Sequence, residues 1–202
     1  MSHQAAITAL KKYTKVETAE VSSSDFASTM SGESDRGAII LMATAIDDSL
    51  LAALKRNMSG LEAKELHSIF ELDGLASSFS KRTKLAQAMG IIDRGTRLLI
   101  DLIREMRNAC AHSRQALTFD SPVIIVALES VFRDEENPVS EWETKRRRGM
   151  FCLMTGSLAD SVNGFVEDGN RENLDRVLEY LNANARRQAL ADALRRKHLE
   201  QP

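Results

Sequence analysis

Between residues 34 and 60, apolar side chains return every three or four positions, at Ile39, Met42, Ala43, Ile46, Leu50 and Leu54. That period lets an α-helix bury one face. A half-buried strand needs alternation by two, and no stretch of the chain shows it. The segment also carries its own boundaries. Ser34 or Asp35 can cap the start, Lys55 and Arg56 suit the negative end of a helix dipole, and Gly60 follows the end. These signals predict a helix from there to about Met58.

The same reading continues downstream. Leu61 to Phe70 is a short segment leading to ELDGLASSFS, where Gly74 permits a turn and Ser77 or Ser78 can cap a helix that stops near Met89-Gly90. Asp93 caps the best-defined helix, which runs to about His112 with Leu99, Leu102, Ile103, Met106 and Cys110 on one stripe. An extended stretch, Ser113 to Asp120, precedes Ser121-Pro122, a cap residue followed by proline at the first helical position. That helix ends near Phe132. Ser140 and Glu143 have capping-box spacing for a helix from about Glu141 to Phe165, with Met150, Phe151, Met154, Leu158 and Val162 buried. Asn170 can cap a last helix ending around His198. With three prolines and ten glycines in 202 residues, composition agrees with an all-α chain. The expected fold is a single helical-bundle domain of six to seven helices with a helical C-terminal extension. Its parts are a peripheral segment and connector over 1–34, a helical core over 35–168 and the extension over 169–202.

A formal charge of −2 supplies no overall field for nucleic acid or an anionic membrane. The two cysteines, Cys110 and Cys152, lack metal or redox spacing, so reduced thiols and a cytoplasmic location are expected. No secretory signal is visible, and the best apolar run, Ala38 to Ile46, is broken by Thr44, so no membrane span is expected. No Gly-rich phosphate loop, nucleophile elbow or zinc spacing occurs, and no metal or cofactor is expected.

Three blocks, RGAIILMATAIDDSLLAAL, FELDGLASSFSKRTKLAQAMGII and LIDLIREMRNACAHSRQALTFDSP, together resemble the mannitol operon repressor family over roughly the middle half of the chain. The Gly74 to Ile92 block is the most specific part. The resemblance implies a helical, dimer-forming transcriptional regulator without an obvious DNA-reading helix-turn-helix. The sequence agrees, since no short helix pair with an exposed basic face appears. Sequence-specific DNA binding is not expected, and a protein partner is. A second resemblance lies in Arg107-Asn108-Ala109-Cys110-Ala111-His112, whose Arg-Asn, three residues, then His is similar to the signature of HEPN domains, helical proteins that include metal-independent ribonucleases.

For that chemistry His112 would deprotonate a 2'-hydroxyl, Arg107 would stabilise the phosphorane, and Asn108, four residues before His112, would orient the ring. Arg104 and Ser113 are polar neighbours that could help bind phosphate. Five residues at about 100° each place Arg107 and His112 roughly 140° apart on a straight helix. Either the helix unwinds before His112 or a second subunit completes the site.

The structural alternative is that His112 sits in the last turn because the dipole favours it there, while Arg107 pairs with Asp47 or Asp48. Asp47 is the expected partner and Asp48 the solvated one. Adjacent aspartates point apart on a helix, which argues against a metal site. Cys110 is expected to pack rather than react. The runs Lys145 to Arg148, Arg186-Arg187 and Arg195 to Lys197 are read as solvated faces, with a nucleic-acid surface as the alternative. Near Ser78, Phe79 and Leu85 are expected in the core, and Lys81, Arg82 and Lys84 in water. Two functions stay open at this point: a dimeric helical regulator acting through protein contacts, or a HEPN-like endoribonuclease using Arg107 and His112 across a dimer.

Overall fold

The computed structural model describes residues 30, 32–71, 73–132 and 137–164. The chain divides into two units, residues 1–33 and 34–202. All six described helices belong to the second: α1 (Asp35–Asn57), α2 (Ala63–Phe70), α3 (Phe79–Ala88), α4 (Arg94–His112), α5 (Pro122–Val131) and α6 (Thr144–Asn163), with a 3-10 turn at Val139–Glu141 before α6. No strand occurs among the described residues, and the expected all-α bundle is what the chain forms. The helices expected near the N-terminus and after Asn170 lie outside the described residues.

Local chemistry sets most boundaries. The Ser34 hydroxyl accepts from the Gly37 N–H at 3.0 Å, Ser78 from Lys81 at 3.4 Å and the Asp93 carboxylate from Thr96 at 2.7 Å. Each satisfies a donor that the first turn of a helix leaves without a partner. Pro122 opens α5. Gly90 (φ 72°) and Gly164 (φ 75°) end α3 and α6 in the left-handed region that glycine enters without a steric cost.

α1 is the central element and packs against α3, α4 and α6. Ile39, Ile46, Leu50 and Leu54 are fully buried on it, facing a core that includes Ile100 and Ile103 of α4, Ile124 and Leu128 of α5, and Phe151 and Leu158 of α6. Each such side chain contributes about 1.5–3 kcal/mol by leaving water. Among the described residues α1 is the one helix long and apolar enough to cross a membrane by length and composition. Here that apolar face is covered by the bundle.

Two end contacts show that α1 and α6 run parallel. Arg148 meets Asp35 at 2.9 Å near their starts, and Arg56 donates to Asn163 Oδ1 at 2.7 Å at their ends. α4 runs the opposite way, with Arg36 donating to the Ala111 carbonyl at 3.2 Å.

Four expectations need correction. Residues 63–70 form a helix, opened by Glu65 accepting from the Glu62 N–H at 2.8 Å, although none of its residues is fully buried. The Ser140–Glu143 capping box does not form. The Ser140 N–H donates to Glu129 at 3.2 Å, and α6 begins only at Thr144. Trp142 fixes this delay by packing on Phe132 (ring centroids 5.7 Å apart) and donating to the Asn137 carbonyl at 2.9 Å. Met150, Phe79 and Leu85 are half-buried rather than core, and the positions of α3 that are buried are Thr83 and Ala86. Finally, the run 145–148 is a solvated face only at Lys145 and Arg146, which are exposed. Arg147 is buried and donates to the Val139 carbonyl at 3.0 Å and the Ser140 carbonyl at 3.3 Å, and it pairs with Asp120. It thereby ties the 113–120 stretch and the 3-10 turn to α6.

Candidate functional site

α4 carries the segment that the sequence singles out. Its Leu99, Ile100, Ile103, Met106 and Cys110 are buried, so the remaining positions form a polar side. The helix continues through His112 without a break. One of the two ways in which Arg107 and His112 could converge, unwinding before the histidine, is thereby removed. The two side chains stay on different sides of α4, and within one copy they do not form a site.

His112 is exposed and makes no hydrogen bond among the described residues. Asn108 does not orient it. The Asn108 amide donates to Glu105 at 3.5 Å and accepts from Arg107 at 3.3 Å, so both groups expected to act on or beside the histidine are turned away from it. Arg104, expected near a phosphate, is held by acids of its own helix, Glu105 at 2.7 Å and Asp101 at 3.5 Å. Asp101 also faces Arg97 at 3.5 Å, and Arg97 donates to Gln87 at 2.6 Å. The polar side of α4 is therefore a half-buried ladder of alternating charges.

The expected Arg107–Asp47 pair is replaced by another. Asp47 accepts from Arg82 through both carboxylate oxygens, Nε to Oδ1 at 2.7 Å and Nη2 to Oδ2 at 2.6 Å. Arg82 also donates to the Ala76 carbonyl at 3.1 Å. Fixed parallel donors suit a guanidinium for this two-pronged contact. Arg82 is delivered by the first turn of α3 and so is not in water as the sequence suggested. Asp48 is exposed, as expected, and its carboxyl lies above the usual range because partial desolvation, and then the Asp47 charge, disfavour ionisation, with Arg82 opposing.

Arg107 remains close to Asp47 without pairing to it. The two line a small open cavity of about 160 Å³ together with Ala43 and Thr44 of α1 and Phe79 of α3. Phe79, Thr44 and Arg82 are the contributors that sequence reasoning passed over. The available signal was helical register: Ala43, Thr44 and Asp47 lie three and four residues apart, so they share one edge of α1.

Burial raises the thiols of both Cys110 and Cys152 above their ordinary pKa. Cys110 packs in the core as expected. Among the described residues no group of three His, Cys, Asp or Glu side chains is placed to hold a metal ion.

Fold and site together define an all-helical bundle built on a central apolar helix, with a charged side on α4 and a cavity where α1, α3 and α4 meet. A solved structure with this fold is a chain of the MtlR–HPr complex from Escherichia coli, determined by X-ray crystallography. The two chains superpose with a TM-score of 0.56 at 15% identity, over 66% of this chain and 92% of the other. No protein-family profile matches the sequence, and no curated protein matches it in sequence.

Proposed function

We propose that the chain is a regulatory protein of the mannitol-repressor type that works as a homodimer and acts by docking onto another protein rather than by reading DNA. The observation that carries this reading is the fold likeness. It spans nearly the whole of a chain that was crystallised in complex with a second protein, HPr. Charge agrees with it. Arg82, Arg147 and Arg148 are each held by an aspartate, which leaves them poorly suited to a phosphate backbone.

Two measurements on the full chain test the proposal. Light scattering should give a dimer mass near 44.8 kDa, twice 22.4 kDa. Calorimetric titration with HPr should give saturable heat. A mass of 22.4 kDa, or no heat at the highest attainable concentrations, refutes the corresponding half.

One observation keeps a second reading in view: the His112 imidazole is open to solvent at the end of α4. A metal-independent ribonuclease would then need Arg107 and His112 from different copies. Incubation of the protein with mixed cellular RNA in chelator decides it. Cleavage that disappears in His112→Ala supports the nuclease, and intact RNA with the wild type removes it.

A further inference from the structure

Arg107 reaches from α4 to the cavity that residues of α1 and α3 line with it. Its side chain is half-buried between α1 and α3, yet it makes no ion pair among the described residues, and its one hydrogen bond is the 3.3 Å contact to Asn108. A guanidinium has five N–H donors. The acid at hand, Asp47, has both oxygens taken by Arg82. Arg107 therefore presents permanently charged, solvent-accessible donors, paired to no acid among the described residues, to the cavity it shares with Ala43, Thr44, Asp47 and Phe79.

From this geometry we infer that the Arg107 cavity is a binding site for a single carboxylate, the acidic side chain of a protein partner. The inference deepens the protein-docking function proposed above and rests on it for the source of the carboxylate. Size excludes enclosure of a whole nucleotide. The cavity, at about 160 Å³, falls below the roughly 300–1,000 Å³ of sites that enclose drug-sized ligands. It accommodates one functional group delivered from a larger surface.

Charge selects which group. Asp47 stands in the cavity wall with its charge matched by Arg82, so the one positive charge left over, that of Arg107, balances a singly charged carboxylate and not a doubly charged phosphate or a polyanionic backbone. A planar carboxylate also matches the guanidinium fork. The Phe79 ring in the wall suits the methylenes of a glutamate stem.

The test uses the full chain uniformly labelled with 15N. The Arg107 Nε–Hε resonance is followed by NMR during titration with blocked glutamate (N-acetyl-glutamate-N-methylamide), its glutamine counterpart, inorganic phosphate and an oligouridylate. The expected result is a saturable shift with blocked glutamate in the millimolar range and none with the glutamine counterpart. Because the Arg107 resonance is lost in a variant, Arg107→Gln is read from the backbone amides of Thr44 and Phe79, and binding should weaken at least tenfold. Should that variant fail to fold by circular dichroism, Arg107→Lys decides, with a severalfold weakening expected because the charge stays and the fork is lost.

No shift with blocked glutamate, or equal binding by a folded Arg107 variant, overturns the site. Tighter binding of phosphate or oligouridylate than of glutamate overturns it in favour of a nucleic-acid ligand. Calorimetry with HPr separates the two levels. HPr binding that ignores Arg107→Gln sinks this inference and leaves the docking function standing. A glutamate site on a chain that binds no HPr does the reverse.

Discussion

The pairing of Asp47 with Arg82 rather than Arg107 can be measured as a difference between two double-mutant cycles. The side chains of Arg82 and Asp47 are 14% and 21% exposed. Fully exposed pairs are worth about 0.2–1 kcal/mol, and removing one member of a buried pair costs about 3–5 kcal/mol. With two short bonds in a mostly buried setting, Asp47→Asn should lie between, at about 2–3 kcal/mol. For a domain of this size that corresponds to a fall in Tm of roughly 6–12 °C. Urea unfolding followed by far-UV circular dichroism and Trp142 fluorescence supplies the free energies. The Asp47→Asn/Arg82→Gln cycle should show about 1.5–3 kcal/mol of coupling, and the Asp47→Asn/Arg107→Gln cycle less than about 0.5 kcal/mol. Equal couplings, or the larger value for Arg107, would refute both the assigned pair and the idea that Arg107 keeps its donors for a ligand.

Three further outcomes follow from the same structure. A Cβ added at Gly74 would clash with the Ile69 backbone carbonyl, in the turn closed by the 2.8 Å Ala76 N–H to Ile69 bond; Gly74→Ala should cost about 1–3 kcal/mol and raise proteolysis near residues 70–76, and unchanged melting would contradict the tight turn. Thr144 and Arg147 hold the Asp120 carboxyl below the usual carboxylate range. A depressed folded pKa gives stability that is present above the unfolded value of about 3.9 and lost as pH falls through the folded one. The gap in Tm between wild type and Asp120→Asn should therefore narrow on acidification below that value, and a gap that widens would reverse the sign. Both thiols are held protonated by burial, so at neutral pH iodoacetamide should label Cys110 and Cys152 far more slowly in native protein than in urea, with Cys110, which is fully buried, the slower by peptide mass spectrometry.

Features governed by near neighbours were legible in the sequence, and features that depend on distant ones were not. The buried face of α1 and the caps at Ser34 and Asp93 depend on residues within one or two turns, so periodicity and cap chemistry sufficed. The partner of Asp47 does not. Arg82 and Arg107 are both long cations downstream, and only the docking of α3 decides between them. Arg147 was hidden by its company in a run of basic residues. Yet it stands four residues before Phe151, seven before Met154 and eleven before Leu158, so helical spacing placed it on the buried stripe all along. α2 went unread because its apolar residues, Leu66, Ile69 and Phe70, are only half-covered in a helix of eight residues. At the candidate site the address of Arg107 and His112 on α4 was legible, and the cavity was not, since it draws on three helices.

The parallel packing of α1 and α6 bears on how the chain is made. The first described helix cannot complete its core until the last one has been synthesised, roughly a hundred residues and about 5–20 s later at ordinary translation rates. Through that interval a nascent helix apolar enough to pass for a membrane span waits without its principal neighbour. A ribosome stalled before residue 144 would present α1 to chaperones and to the machinery that sorts hydrophobic segments, whereas one stalled well after residue 164 would present a closed bundle.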